Sequence, residues 1–503
     1  MRRALPLLIV AGFAAAALAL YWPALSLALM GDDYQWVQHA HRAMHSPLLL
    51  LADLDSFYRP ASTWTLALDR LLWGFWPAGF HLTNVLLQGL AAAGLALAGR
   101  RLGLPLVAAL AAGALWLATP FTSEPAIAVA IRFENLLLLA WLALIAAWPG
   151  PEETWSRGRV AAVAGATLLA AASKETWVVT FILVLALELG TRRTRPAAAL
   201  KRSLPFLGAA ALYAVIYFLA FPSDKGYFEM SFAPLAKVPH MLAAFLFLEP
   251  FTPAGFLLTW RGLLALALAG VAVGQAIRRR SPAGLAGIAL AFASLLPTLL
   301  VPYLPTRYTA IPYAGLALLA VATIVSAPGA TPSVVARVAR AGAAVTGVLF
   351  LGAGIVGVRN EIVDAARVSD AHTRLLAEAA AVAPQLPLDR PVAVVRAEVD
   401  NPLRAIARSP QGLAKLFFVR HPDPYGLIDA AALFEWVIAR EDVVVRRYDD
   451  GDTRFLGERG AVLLHESGRF AWVDRAARDV TQEARRWRDR QMPVRWIRRG
   501  PAR

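Results

Sequence analysis

Long apolar runs separated by short polar segments constrain the fold of this chain more than any other feature of its sequence. The runs are roughly 15 to 25 residues long, the length that a helix needs to cross the apolar core of a bilayer. Of the 503 residues 58% are hydrophobic, and the mean hydropathy is +0.53. The sequence therefore predicts an α-helical polytopic membrane protein with about eleven transmembrane helices.

The predicted spans and the segment before the second span set the topology. A helix over 61–76 carries tryptophans and two charges among leucines, which suits a helix lying in the membrane interface, after a first outer loop over 31–60. If 61–76 crossed the membrane, every later loop would change side. The predicted spans cover approximately residues 4–25, 79–99, 104–119, 135–148, 160–172, 176–190, 204–221, 254–276, 285–300, 308–324 and 341–356.

Basic residues in the first 360 positions lie mainly in short loops on one side of these spans, for example at 2–3, 100–101 and 278–280. The positive-inside rule places those loops and the N-terminus inside. The same bias explains much of the net charge of +15 without a nucleic-acid partner. The first apolar run resembles a signal peptide, but it lacks a clean small-x-small site before the acidic pair at 32–33, so we expect an uncleaved first helix.

The composition changes near residue 359, where charges become frequent and long apolar runs stop. We expect a transmembrane module over 1–358 and a small α/β or α+β domain outside over 359–503, long enough to hold its own core. Its arginine-dense tail over 485–503 either contacts anionic lipid headgroups or is a solvated terminus. Strands are predicted at 391–395, 442–445 and 460–465, and helices at 370–381 and 479–490.

The residue inventory excludes several chemistries. There are no cysteines, which rules out disulfides, thiolate zinc sites and cysteine nucleophiles. His39, His41 and His45 lie close together in sequence, and the last two have helical i, i+4 spacing. No further ligand is specified, so we expect no zinc site there.

Polar clusters near the ends of spans fall on the side opposite the arginine-rich loops. They are Asp32–Asp33, Tyr58–Pro60, Arg132–Asn135, Lys174–Glu175 and Arg307–Tyr308. Arginine suits phosphate in a poorly hydrated site because its fork is planar and always charged, and a neighbouring carboxylate can take a proton or hold a cation. The clusters predict an anionic, partly lipidic substrate.

The order of these motifs resembles the GT-C superfamily of integral membrane glycosyltransferases. The likeness is greatest to the branch related to protein O-mannosyltransferases and TPR-bearing transmembrane transferases, and it covers about residues 1–330. Glu134 stands where that branch usually has Asp, Thr309-Ala310 replaces an aromatic-containing pair, and the TPR extension is absent. The motifs are Gly31-Asp32-Asp33-Tyr34, Tyr58-Arg59-Pro60, Phe80-His81-Leu82-Thr83-Asn84, Glu124-Pro125, Arg132-Phe133-Glu134-Asn135-Leu136, Ser173-Lys174-Glu175-Thr176 and Arg307-Tyr308-Thr309-Ala310-Ile311-Pro312.

The resemblance implies an inverting transfer of a sugar from a polyprenyl-phosphate donor to a hydroxyl of a lipid, glycan or protein acceptor. It also implies a location in the bacterial inner (cytoplasmic) membrane, with the reaction at the outer face. Asp32 and Asp33 together are assigned the role of base, and a divalent cation, Mg²⁺ or Mn²⁺, at this pair is an open alternative. Residues expected to bind the substrate or its phosphate are Tyr58, Arg59, His81, Asn84, Arg132, Glu134, Lys174, Glu175, Arg307 and Tyr308.

Each assignment has a simpler structural explanation. One of the two aspartates is expected to cap the helix that follows it. Basic residues at span ends commonly anchor helices by snorkelling. Lys174 has an adjacent partner in Glu175, and His81 and Asn84 share a helix face where they either line a cavity or make packing contacts.

Two other functions compete with glycosyl transfer. A transporter or flippase for a lipid-linked saccharide would have polar residues along its spans and an internal repeat, and neither is evident in the sequence. A non-catalytic membrane scaffold with a partner-binding outer domain leaves the polar clusters without a purpose.

Overall fold

Apolar helices make up most of the chain in the computed structural model. The structure describes residues 4–48, 57–150, 152–220, 233–248, 260–300, 306–325, 334–385, 392–396, 443–447, 459–466, 469–476 and 494–499. The helices are α1 (Leu5–Tyr21), α2 (Asp33–His45), α3 (Pro60–Trp73), α4 (Pro77–Arg101), α5 (Leu106–Leu117), α6 (Glu124–Ile127), α7 (Phe133–Ala147), α8 (Arg157–Ser173), α9 (Thr180–Gly190), α10 (Pro196–Ala220), α11 (Ala233–Phe247), α12 (Trp260–Arg279), α13 (Pro282–Phe292), α14 (Ala310–Ile324) and α15 (Val334–Val382).

Seven stretches within the described segments are long and apolar enough to cross a membrane. They include α1, α4, α7, α10, α12 and α14, some with their adjoining turns, and Ala341–Val382 of the long α15. The spans predicted over 104–119 and 285–300 fall on shorter apolar helices, and those over 160–172 and 176–190 fall on α8 and α9. The chain is therefore a multi-pass helical membrane protein, as the sequence predicted.

Several helices begin where the sequence supplies a suitable first turn. Proline occupies an early position of α1, α3 and α4, where its missing N–H would have no partner within the helix. Ser156 caps α8 by accepting a hydrogen bond from Arg159 N at 3.3 Å, and Ser281 caps α13 in the same way through Gly284 N at 3.2 Å. These local signals fix where the apolar helices start.

Small residues bring the helices close together. α4 packs against α1, α5 and α7, and α13 packs against α14 and α9. A methyl group added at Gly315 of α14 would overlap the backbone of Gly287 and Ala291 in α13. Close backbone approach at small residues is a common way for membrane helices to associate, since lipid tails remove the hydrophobic driving force between them.

Helix α3 corresponds to the predicted interfacial segment and is not among the candidate spans. One face is buried and includes Ser62, Thr63 and Asp69. The other face exposes apolar side chains such as Trp64 and Leu71. This two-sided character agrees with the sequence pattern, and its position in the membrane interface stays a prediction.

Two carboxylates hold the arginine-rich ends of α4, α8 and α10. Glu153 accepts hydrogen bonds from Arg101 and, at 2.6 Å, from Arg159. The fully buried Glu188 accepts from Trp148 Nε1 at 3.2 Å and from Arg202 Nη1 at 2.7 Å. Arg101 and Arg159 lie at one end of α4 and of α8. The other ends of the two helices therefore lie together on the opposite side, with His81 in α4 and Lys174 directly after α8.

A mixed sheet follows the helices. Its strands are β1 (Val392–Arg396), β2 (Val443–Arg447), β3 (Arg459–Glu466), β4 (Arg469–Ala476) and β5 (Val494–Arg499). Their order across the sheet is β2-β5-β1-β3-β4. β1 and β3 are parallel, with Val394 opposite Leu463, and the remaining pairs are antiparallel. The sheet gives the C-terminal region the mixed α and β character that the sequence predicted.

The C-terminal region differs from expectation in two places. β5 lies in the stretch predicted as a basic tail over 485–503, yet it pairs with β1 on one side and β2 on the other. The division predicted between 358 and 359 falls inside α15, which runs without a break to Val382 and contains the helix predicted over 370–381. The helix predicted over 479–490 lies outside the described residues.

Candidate active site

A turn at Gly31 brings the acidic pair to the start of α2. Gly31 has a φ of +55°, a conformation that disfavours any side chain with a Cβ. Asp32 occupies the N-cap position through its backbone, whose carbonyl accepts a hydrogen bond from Trp36 N at 3.0 Å. The Asp32 side chain is exposed, whereas the Asp33 side chain is only 1% exposed.

Asp33 links the start of α2 to a distant part of the chain. Its Oδ1 accepts a hydrogen bond from Ala130 N at 2.7 Å, and its Oδ2 accepts one from Met30 N at 3.0 Å. Neither aspartate side chain caps α2, so the expected capping role is wrong. Burial raises the pKa of the Asp33 carboxyl to about 7, since the backbone hydrogen bonds only partly offset the lost solvation and the Asp32 charge opposes ionisation.

His81 and Asn84 of α4 hold the backbone around this pair. His81 Nε2 donates to the Ala28 carbonyl at 3.3 Å. Asn84 Nδ2 donates to the carbonyls of Pro125 at 3.0 Å and Ala128 at 2.9 Å. The sequence allowed these two residues either to line a cavity or to make packing contacts between helices. Both side chains are fully buried, so the structure shows the packing contacts.

Arg132 forms a buried ion pair that the sequence did not predict. Its Nη2 lies 2.6 Å from Asp69 Oδ2, with 0% and 3% of the two side chains exposed. Thr83 donates to the other Asp69 oxygen at 2.7 Å. A guanidinium enclosed in this way has a structural partner, so we leave Arg132 out of the phosphate contacts proposed below. The missed signal was Asp69 itself, a carboxylate among the leucines of α3.

Arg59 and Glu175 form a two-pronged ion pair between α3 and the turn after α8. Arg59 Nε and Nη2 donate to the two oxygens of Glu175, each at 3.1 Å. The guanidinium carbon lies 3.8 Å from the ring centroid of Phe133 and 4.4 Å from that of Phe57. Stacking and bidentate pairing together fix the orientation of this arginine. Tyr58, the preceding residue, is half-buried.

Lys174 pairs with Glu134, and the two side chains are buried together. This corrects the expectation that Lys174 would pair with its neighbour Glu175, which belongs to Arg59 instead. The Lys174 ammonium also lies 4.1 Å from the ring centroid of Tyr308. Side chains from α7, α8 and the turn before α14 therefore meet at one point.

Arg307 makes the longest ion pair of this group. Its Nη1 lies 3.5 Å from Glu124 Oε1, and 21% of its side chain is exposed. The turn that carries it is fixed by Thr309, which donates to the Phe121 carbonyl at 3.3 Å. Glu124 appeared in the sequence only as part of a motif, and its pairing with Arg307 was not predicted.

Arg59, Lys174 and Arg307 thus form one connected cluster with their carboxylate partners, at the end of the helices opposite Glu153 and Glu188. Phe133 contacts Arg59 and Lys174, and Tyr308 contacts Lys174 and Arg307. Each of these cations has a carboxylate partner. A bound anion would therefore compete with a carboxylate for its cation, and Arg307 is the most exposed of the three.

The side chains available as metal ligands at this site suit a divalent cation poorly. Among the residues that the structure describes, no group of three His, Asp or Glu side chains is placed to hold a metal. Asp33 uses both oxygens as hydrogen-bond acceptors, which leaves Asp32 as the carboxylate of the pair that a cation could bind without competing with those bonds. The His41 and His45 rings meet edge to face at 5.1 Å.

Comparison with known proteins shows the fold. No family model matches the sequence, and no curated protein matches it significantly. The chain is similar to the crystal structure of ArnT from Cupriavidus metallidurans bound to undecaprenyl phosphate, with 15% identity, a TM-score of 0.55 and 97% of each chain covered. It is also similar to ArnT from the same organism in the apo state, with 14% identity, a TM-score of 0.54, and 93% of this chain and 98% of that chain covered.

Both solved structures span nearly the whole length of this chain. The chain therefore has the fold of these two ArnT structures over nearly its whole length. Membership of the GT-C superfamily, and the likeness to its protein O-mannosyltransferase branch, stay predictions made from the order of the motifs.

Proposed function

We propose that this protein is a membrane glycosyltransferase that moves a sugar from a polyprenyl-phosphate donor to an acceptor hydroxyl. The observation that carries the proposal is the placement of an exposed carboxylate, Asp32, at the end of the bundle that also holds Arg59, Lys174 and Arg307. The likeness to an ArnT structure bound to undecaprenyl phosphate supports a donor of this lipid class.

Asp32 is the proposed base. It is the exposed member of the acidic pair, so an acceptor hydroxyl can approach it, and its carboxylate can accept the proton that the hydroxyl loses. Asp33 is enclosed and holds the loop through Ala130 and Met30. Asp33 therefore positions Asp32 rather than touching the substrate.

The proposed reaction is a single displacement with inversion at the anomeric carbon. The acceptor oxygen forms a bond to the anomeric carbon while the bond from that carbon to the donor phosphate oxygen breaks. The hydroxyl proton passes to Asp32, and the electron pair of the broken bond stays on the departing polyprenyl phosphate. One base and one stabilised leaving group suffice for this reaction.

Arg307 is the proposed contact for the departing phosphate. The phosphate gains negative charge as the bond breaks, so a cation aimed at it stabilises the transition state more than the ground state. Arg307 is the most exposed of the paired cations and has the longest ion pair. Arg59 and Lys174, which are more tightly paired with carboxylates, hold Phe133 and Tyr308 in place.

We propose that the site faces outside the cytoplasm, in the bacterial inner membrane. The support is the separation of charge along α4 and α8, whose arginine ends bind Glu153 while their other ends reach His81 and Lys174. At a rise of 1.5 Å per residue α4 is about 37 Å long, enough to separate the two ends by a bilayer core. Positive residues favour the inner side.

The test uses purified protein, a polyprenyl-phosphate sugar, and lipid, glycan and peptide acceptors, with release of polyprenyl phosphate as the readout. The parent protein and an Arg367→Ala variant should release it with transfer to one acceptor class, and Asp32→Asn should not. Arg367 serves as the control because it is exposed and pairs with Asp364 in the same helix. Movement of intact donor across vesicle membranes without release of polyprenyl phosphate would instead identify a flippase. The absence of both transfer and movement would favour a scaffold.

A further inference from the structure

The short segment before Asp32 is held from three directions. The carbonyl of Ala28 accepts a hydrogen bond from His81 in α4. The amide of Met30 donates to Asp33 at 3.0 Å. The amide of Ala28 donates to Ser369 Oγ at 2.7 Å, and this contact joins residues 341 positions apart. The third anchor comes from beyond the region that carries the glycosyltransferase motifs.

Ser369 lies on α15, past the point where the sequence predicted a separate outer domain. Its side chain is 4% exposed. On the same helix the His372 ring stacks on Tyr34 of α2, with centroids 6.3 Å apart and planes at 23°. Ten residues before Ser369, Arg359 Nη2 donates to the Ala19 carbonyl of α1 at 2.7 Å.

This part of α15 is a wall of the site rather than a linker to the sheet. Its buried face includes Ile362, Ala365 and Val368, which join the apolar core of the transmembrane helices. The contacts with α1 and α2 then flank the acidic pair on both sides in sequence. A helix held in this way can fix the backbone between Leu27 and Gly31.

We propose that Ser369 is a positioning residue for Asp32, and that the buried face of α15 between Arg359 and Ala379, opposite the exposed Arg367, is part of the catalytic module. The inference rests on the proposed function, because it takes Asp32 as the base. Gly31 gives the loop a backbone with wide conformational freedom, so anchors on either side are needed to keep Asp32 in one place. Without the Ser369 hydroxyl, the part-buried Ala28 amide loses its acceptor and the loop shifts to find another.

The kinetic test compares Ser369→Ala, Ser369→Thr and the exposed control Arg367→Ala. A misplaced base slows the chemical step without changing donor binding. Ser369→Ala should therefore lower kcat about tenfold, leave the KM for the donor unchanged, and retain the fold. Ser369→Thr keeps a hydroxyl and should restore kcat. A Ser369→Ala enzyme that transfers like Arg367→Ala, or one that Thr does not rescue, would overturn the proposal.

A second measurement keeps this inference separate from the proposed function. Hydrogen exchange over residues 27–34 reports the anchoring of the loop whether or not transfer occurs. Ser369→Ala should exchange faster in this segment than the parent, while Arg367→Ala should not. If the parent enzyme transfers no sugar, the proposed function fails, and the exchange data still decide whether Ser369 anchors the loop. Unchanged exchange in Ser369→Ala would refute the anchor.

Discussion

Lys174 forms a buried ion pair with Glu134 of α7 and not with Glu175, its neighbour in sequence. Glu175 is instead bound at both oxygens by Arg59. Arg307 also pairs with a carboxylate that is distant in sequence, Glu124. The predicted phosphate-binding cations thus already have internal anions, and a donor phosphate must compete for one of them. This relationship determines how variants of the cluster should behave.

Asp32→Asn should fold normally and lose about 10²- to 10⁴-fold in kcat, the usual contribution of a general base. The side chain is exposed, so the amide causes no burial penalty. Transfer rates at saturating donor, with melting temperature in detergent as the check on folding, measure this. Parent-like turnover in Asp32→Asn would remove it from the mechanism.

Asp33 should give the protein a distinctive pH dependence of stability. Its pKa in the folded protein is about 7, against 3.8 ordinarily, so between these values the folded state holds the proton more tightly than the unfolded state. The free energy of unfolding contributed by Asp33 therefore falls as pH rises from about 4 to about 7 and is constant above that. Melting temperatures across this range should fall less steeply for Asp33→Asn than for the parent. Equal slopes would contradict the raised pKa.

Glu124→Gln should strengthen binding of the donor lipid. Removing the carboxylate frees Arg307 for the phosphate, and a partly exposed pair of this kind contributes on the order of 1 kcal/mol, or about fivefold in Kd. Undecaprenyl phosphate titrations followed by thermal shift in detergent measure the change. Arg307→Ala is the matched variant and should weaken binding. Weaker binding in Glu124→Gln would show that Glu124 assists the donor rather than competing with it.

Asp69→Ala should lower the melting temperature more than the double variant Asp69→Ala with Arg132→Leu. The single change leaves the Arg132 guanidinium buried without its charge partner, which costs about 3–5 kcal/mol. Replacing the arginine as well removes that uncompensated charge. Both variants are compared with the parent by thermal unfolding in the same detergent. A double variant as unstable as the single one would argue against this account of the pair.

Gly315→Ala should destabilise the crossing of α13 and α14. The added methyl group would overlap the backbone of Ala291 and Gly287, and overpacking of this kind costs about 1–3 kcal/mol. Gly270→Ala is the control, since a Cβ at Gly270 of α12 meets no atom within 4 Å. Thermal unfolding of both variants measures the difference, and a stable Gly315→Ala protein would mean that the two helices can separate without loss.

Transfer should be insensitive to chelators. Asp33 commits both oxygens to backbone amides, so a cation at the acidic pair would have to displace a hydrogen bond or bind Asp32 alone. Activity of purified enzyme is measured with EDTA and with added Mg²⁺ or Mn²⁺. Loss of activity in EDTA that either cation restores would establish the metal site that the sequence left open.

Local sequence patterns determined the fold class and supplied the residues of the candidate site. The apolar runs need no tertiary information, because any segment of that length and composition finds its lowest free energy across a bilayer. Predicted strands such as 460–465 also matched, since β3 spans Arg459–Glu466. β5 was missed because three of its six residues are arginines, a composition that also suits a solvated basic tail.

The partners within the site could be decided only by the tertiary structure. Charge and position along the chain made Asp32, Arg59, Lys174 and Arg307 candidate site residues, because ionisable groups at the ends of membrane spans are costly unless they have a partner or a function. Which carboxylate each cation meets depends on how distant helices pack, and packing placed Ala130 beside Asp33 and Ser369 beside Ala28. Those contacts join positions 97 and 341 residues apart, so no local pattern in the chain records them.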